Sequence, residues 1–203
     1  MNIHASPTLT PAESALVEAF SERVSDLPGD AAVTVMRDDA VELLKGGLPT
    51  RRIEAWHYTD LRRLLTTVPA FEPSAKPDTL RPLVDGSAVL RVANGKASAG
   101  AEIEGVTVRG FQDMLLAGDA DAALAPVDPT DAVAAVNTAF ASDGYALTIA
   151  EGAQLDAPIE LQNLQAGGQV HARFPVMVGA GACLLYTSPS PRDLSTSRMP
   201  SSA

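Results

Sequence analysis

Tyr145–Gly152 (YALTIAEG), Ala157–Leu164 (APIELQNL), Gln165–Gln169 (QAGGQ) and Val170–Ala182 (VHARFPVMVGAGA) form the stretch on which the fold class turns. Apolar and polar residues alternate along it with the period of two that half-buried strands require. Three short strands separated by Gly-containing turns suit the opening coils of a parallel β-helix, in which each coil stacks its inward apolar residues on the last. A sandwich fits the same period equally well. Periodicity alone does not choose between them.

Just upstream, Asp128-Pro129 opens a helix with Asp131 in its first turn, where a carboxylate favours the positive end of the helix dipole. Val133, Val136 and Phe140 are its apolar face, and Asp143-Gly144 ends it. This helix is expected to cap the open end of the strand stack. Gln112–Leu124 reads as a further helix, and Ala88–Val92 and Gly105–Arg109 as short strands. Asn94-Gly95 lies between those strands, but the long spacer argues against a simple two-residue hairpin.

The N-terminal third is helical. Thr10, Pro11 and Glu13 supply an N-cap, a proline at the first helical position and a capping box. Leu16, Val17, Phe20, Val24 and Leu27 recur at helical spacing until Pro28-Gly29-Asp30 interrupts them. A second helix ends at Leu43-Leu44-Lys45, where Gly46-Gly47 offers the left-handed C-cap. The chain thus divides into a helical region over 1–76, a mixed α/β connecting region over 77–144, the strand region over 145–182 and a tail over 183–203.

Composition bounds the function. The 203 residues are 46% apolar and 20% charged, with a net charge of -10. No apolar run approaches the length of a membrane span, and the acidic balance argues against broad nucleic-acid or anionic-membrane binding. Residues 1–14 show no basic stretch leading into an apolar segment, so a cytoplasmic location is expected. The single cysteine, Cys183, cannot form an internal disulfide, and His4, His57 and His171 make no recognisable metal cluster. Walker A and nucleophile-elbow patterns are absent. Asp119 and Asp121 begin like a calcium loop, but Leu124 and Thr130 stand where it needs Gly and Glu.

All 15 glycines precede Cys183, whereas residues 183–203 (CLLYTSPSPRDLSTSRMPSSA) carry six serines and three prolines. The string CLLYTSPSPRD resembles translated sequencing-adapter read-through, so the tail is read as foreign or disordered. It is expected to add nothing to the fold.

Leu48–Leu65 (LPTRRIEAWHYTDLRRLL) holds the chain's only Trp and four of its Arg. Trp56, His57 and Tyr58 are candidates for lining a ligand site; the plainer reading makes them a packing anchor for the helices. Arg51, Arg52, Arg62 and Arg63 form a local basic patch, suited to an acidic partner or, more plainly, to solvated pairing with Glu54 and Asp60. His171 has no second metal ligand near it in sequence.

Gly47-Leu48-Pro49-Thr50-Arg51-Arg52, with Glu54, Trp56 and Tyr58-Thr59-Asp60-Leu61, resembles the signature of the SufD family of the SUF iron-sulfur cluster assembly system. Asn137-Thr138-Ala139-Phe140, Asp143-Gly144, Ile149, Gly152 and Pro158-Ile159 resemble the start of that family's β region, and Val176–Ala182 is similar to a later coil. His57 departs from the Lys more usual in the family. The resemblance spans residues 11 to 182. It implies an α+β protein with an N-terminal helical region followed by the first coils of a right-handed parallel β-helix. It also implies a non-enzymatic scaffold that, in the full-length protein, pairs with a SufB-type paralogue and a SufC-type ATPase. The iron-sulfur cluster is handled transiently by the full complex.

The family's cluster-handling and ATPase-gripping residues lie beyond the position of Ala182. No catalytic, cofactor-binding or metal-binding residue is therefore carried over, and the chain is read as an N-terminal fragment that binds no cofactor and is inactive alone. The competing hypothesis is a β-helix carbohydrate-active enzyme using Glu151, Asp156 and Glu160 as acid and base. Against it stand the missing signal peptide and an aromatic content of only 4%, too low for sugar platforms.

Overall fold

The computed structural model describes residues 8–126 and 128–182. The expectations for His4, Cys183 and the tail fall outside the described residues. Helix α1 (Pro11–Arg23) begins at the Thr10 capping box and passes into a 3-10 turn at Val24–Asp26. Asp30 then accepts a hydrogen bond from Val33 N at 2.9 Å and opens α2 (Ala31–Leu44). Pro28 and Gly29 separate the two helices, as a proline and a positive-φ glycine do.

A short helix α3 (Leu61–Leu64) closes the following loop. The helix expected over 112–124 is two: α4 (Phe111–Ala117) ends on left-handed Gly118, and α5 (Asp121–Leu124) follows. Helix α6 (Ala132–Phe140) begins later than Asp128-Pro129 suggested, so Asp131, expected in its first turn, is instead its cap: Oδ1 accepts from Val133 N at 2.8 Å and Ala134 N at 3.2 Å.

Strands β1 (Ala88–Ala93) and β2 (Lys96–Ala97) make an antiparallel hairpin through Asn94 and Gly95. Both turn residues have positive φ, +46° and +74°, as a type I′ turn demands. A two-residue hairpin is therefore present, with a partner strand too short to announce itself in sequence. Strand β3 (Val106–Gly110) belongs elsewhere: it runs antiparallel to β4 (Asp143–Ile149), Val108 opposite Leu147. Asp143-Gly144 thus opens a strand as well as following a helix.

Strand β5 (Ile159–Leu164) lies parallel to β1 with Leu161 beside Leu90, giving a three-stranded sheet in the order β2-β1-β5. Strands β6 (Ala172–Arg173) and β7 (Val176–Val178) pair in parallel along the side of β4 opposite β3.

The expected right-handed parallel β-helix over 145–182 is corrected by this pairing. Strand β5 does not stack between β4 and β6; it joins β1 from far upstream, and β3 and β2 both pair antiparallel. Among the described residues the fold is α+β with two mixed sheets. A period of two sets which face of a strand is buried but not which strand lies beside it.

Three cores hold these layers together. Leu16 and Phe20 of α1, Val41 and Leu44 of α2, Leu48, and Ala135, Ala139 and Phe140 of α6 form the first. Phe20 and Phe140 meet edge to face at 5.9 Å. Val33, Phe111, Met114, Leu115, Leu124 and Ala146 form the second, joining helices to the second sheet. Leu90 and Val92 pack on Tyr145 and Leu147 in the third, between the two sheets. Among the described residues, no helix is long and apolar enough to cross a membrane.

Candidate functional site

The capping box that starts α1 does more than start a helix. Glu13 Oε2 accepts from Thr10 N at 2.7 Å, the local bond that the box requires. Its Oε1 reaches a distant segment, accepting from Leu48 N at 2.7 Å and facing Arg62 Nε at 3.1 Å. Arg62 also donates through Nη2 to Thr8 O. Glu13 is fully buried. A carboxylate so placed is tolerated because backbone donors and a guanidinium replace the water it has lost.

Leu48 and Arg62 stand at the two ends of one loop. Arg62 N donates to Pro49 O at 3.2 Å and closes it at the base. Inside, Ile53 N bonds to Thr50 O at 3.0 Å, Trp56 N to Ile53 O at 2.9 Å and Thr59 N to Trp56 O at 2.8 Å. Asp60 caps α3 through Arg63 N at 3.1 Å. A compact surface loop with its ends joined is an Ω-loop, a form that frequently carries function.

The side chains of this loop divide by role. Leu48, Leu61 and Leu65 pack into the helical core. Trp56 is half-buried, while His57 and Tyr58 meet edge to face at 4.6 Å and are exposed, Tyr58 to 89%. The leucines, not the aromatic trio, are the packing anchor. Arg51, Arg52 and Arg63 are exposed, and among the described residues none forms an ion pair with Glu54 or Asp60. Among the described residues, Arg62, drawn inward by Glu13, is the one loop arginine in an ion pair.

A cleft of about 680 Å³ lies between α1, residues 68–73 and the Asn94-Gly95 turn. Arg23 lines it, with its guanidinium 4.2 Å from the Phe71 ring centre and 5.6 Å from that of Phe140. Burial lowers the Arg23 pKa, partly opposed by Asp26, and its Nη1 has no hydrogen-bond partner among the described residues. His171 stacks on Phe140, with ring centres 5.3 Å apart at 21°. Burial, aided by the Arg23 charge, pushes its pKa down to about 4. The neutral ring then accepts from the Gln169 amide through Nε2, at 2.9 Å. His171 is therefore a half-buried ring packed on Phe140 and held toward its neutral form. Among the described residues, no group of three His, Cys, Asp or Glu side chains is placed to hold a metal ion.

The three carboxylates considered for acid-base work are not gathered. Glu160 Oε2 accepts from Leu83 N at 2.8 Å and Ser87 Oγ at 3.2 Å, and Oε1 from Gln162 Nε2 at 2.7 Å. Those bonds, the one from Gln162 foremost, lower its pKa and pin residues 83–87 against the first sheet. Asp156 lines a second cleft of about 470 Å³ with Glu102 and Glu104, a lining that includes neither Glu151 nor Glu160. Asp119 pairs with Arg109 at 2.8 Å.

Two buried charges went unmarked in the sequence. Arg37 donates through Nη1 to Ala139 O at 2.6 Å and Thr138 O at 3.2 Å, and through Nη2 to Ala141 O at 2.8 Å and Pro28 O at 2.9 Å. It thereby serves carbonyls that the end of α6 leaves open. Its signal was positional: Val33, Arg37, Ala40, Val41 and Leu44 share one helical stripe. Asp143 accepts from Ala97 N at 2.8 Å, Gly144 N at 2.8 Å and Gln112 N at 3.2 Å, joining both sheets to α4.

No protein-family model and no curated protein sequence matches the chain.

Proposed function

We propose that this chain is a non-enzymatic scaffold subunit of the SufD type, working in the cytoplasm within an iron-sulfur cluster assembly complex. Its partners in that reading are a SufB-type paralogue and a SufC-type ATPase, and iron and sulfide are the cargo. The observation that carries it is the construction of residues 48–62. The stretch with the densest SufD resemblance is a displayed loop with a locked base, the form expected of a docking element. Strand β7 adds support, because Val176, Met177 and Val178 are all exposed and, among the described residues, lie along a sheet margin, where a partner strand can add.

Co-expression of the full chain with SufB-type and SufC-type subunits tests the proposal. The expected result is a stable complex with the SufB-type paralogue, recovered by affinity and size-exclusion chromatography. Capture of the ATPase is expected only when the paralogue is present. Failure to associate with the paralogue at micromolar concentration overturns the reading.

A further inference from the structure

We propose that the Ω-loop over residues 50–61, with the adjoining Arg63 and Leu64, is a docking surface for an acidic segment of another protein that carries an apolar anchor. The proposal stands on the loop's own chemistry and does not require the iron-sulfur reading.

The loop's base and tip are built for different ends. At the base, buried Glu13 holds both ends through Leu48 N and Arg62 Nε, and Arg62 N closes the ring on Pro49 O. The loop therefore loses little conformational freedom on binding, which preserves affinity. On the loop itself Tyr58 is 89% exposed and Ile53 50%, and beside its base, on α3, Leu64 is 66% exposed. Each of these side chains has apolar surface to gain from a partner. Tyr and Arg are the residue types that most often dominate binding energy at interfaces.

Charge selects the partner. In a chain of net charge -10, Arg51, Arg52 and Arg63 are all exposed and fall within one short stretch of sequence. Asp60 spends Oδ1 on Arg63 N, and Glu54 remains the nearby competing carboxylate in the loop. Guanidinium groups recognise carboxylates with two parallel N–H donors, so a run of Asp or Glu matches these arginines. A nucleic acid strand, which extends its charge over many residues, would also meet the negative field of the rest of the molecule. A short acidic protein segment meets three exposed arginines against the loop's own Glu54, and its apolar anchor covers Tyr58 and Ile53.

The test uses the full chain, with fluorescence anisotropy of a labelled synthetic peptide rich in Glu and Asp around a Leu-Phe pair. A peptide with Gln and Asn replacing the acids and a single-stranded oligonucleotide of equal charge serve as comparisons. The acidic peptide is expected to bind, with affinity falling about tenfold or more in the R51E/R52E/R63E variant and severalfold in Tyr58→Ala. The Gln/Asn peptide should bind correspondingly more weakly. Arg81→Glu, on an exposed residue outside the loop, should leave binding nearly unchanged. All substituted positions are exposed, and unchanged circular dichroism and melting temperature would verify folding. No binding of the acidic peptide, equal loss in Arg81→Glu, or tighter binding of the oligonucleotide overturns the proposal.

Discussion

Glu13 and Leu48 are joined by a 2.7 Å hydrogen bond from the Leu48 backbone N–H to the Oε1 atom of a fully buried carboxylate. The same oxygen faces Arg62 Nε at 3.1 Å, so one side chain sets the start of α1 and both ends of the Ω-loop. Glu13→Gln is expected to destabilise the protein by about 3 kcal/mol, because it leaves a partly buried guanidinium without its counter-charge. Urea unfolding of Glu13→Gln, Arg62→Gln and the double variant would measure the coupling. Additive losses would show that the two side chains act separately.

Arg37 is expected to resist conservative replacement. Its planar fork serves four carbonyls, from Pro28, Thr138, Ala139 and Ala141, and a lysine ammonium has only three donors at one point. Burial lowers its pKa to about 10, so it remains protonated at neutral pH. Arg37→Lys should cost about 1–3 kcal/mol and Arg37→Met at least as much, since each leaves buried acceptors unmet. Thermal melts would check both, and an Arg37→Met protein as stable as the parent would remove the capping role.

Some of this was legible before folding. The Thr10–Glu13 capping box acts within a few residues and the structure places it as local rules require, whereas Asp131, expected in the first turn of its helix, is the N-cap, and β4 is buried at six of its seven positions where alternation was expected. Partnership over long distance was not legible. Nothing beside Glu13 in sequence announces Leu48 or Arg62, and alternation cannot say that Leu161 lies beside Leu90. Arg37 was readable only from the stripe it shares with Val33 and Leu44, which an Arg followed by Asp38 and Asp39 disguises. In the candidate site, the arginine and aromatic content of 51–58 was plain, while the leucines' role as anchor and the display of Tyr58 depend on the folded base.

His171 should make stability fall with acid. Its pKa is about 4 in the folded protein against 6.5 for the free side chain, so between those values the unfolded chain takes up a proton that the folded one refuses. Its contribution is fully present above pH 6.5 and is lost as pH falls toward 4, by about 3 kcal/mol in total. His171→Phe, which keeps a ring against Phe140, should flatten that part of the profile. Unfolding midpoints measured at intervals from pH 7 to about 4 would show it, and parallel profiles for the two proteins would contradict the assignment.

Asn94 holds three segments at once. Its Nδ2 donates to Ala75 O, its Oδ1 accepts from Ala166 N at 2.8 Å, and its backbone makes the left-handed turn between β1 and β2. Asn94→Asp keeps the turn and one acceptor but sets a carboxylate oxygen against the Ala75 carbonyl, at an expected cost of about 1–3 kcal/mol. Faster hydrogen exchange would accompany it at the Ala166 amide. Equal exchange and an unchanged melting temperature would show that the side chain does not tie these segments.

Gly144 and Gly152 both have positive φ, +148° and +65°, but they differ in what surrounds them. A Cβ on Gly144 would lie 1.8 Å from Arg173 O, inside the parallel pairing of β4 with β6, whereas one on Gly152 would meet nothing within 4 Å. The obstacle at Gly144 is backbone, which cannot rotate away as a flexible side chain can. Gly144→Ala must therefore part β6 from β4, and with it the Asn137 bond to Ala172 O and the Arg173 bond to Thr138 that tie this edge to α6. Its expected cost is above about 4 kcal/mol, in the range reserved for disruption of the core. Gly152→Ala should cost only the backbone penalty of a left-handed residue, about 1–2 kcal/mol. Chemical denaturation of the two variants side by side would decide the matter: similar losses would mean that the close approach of β4 and β6 does not hold this sheet together.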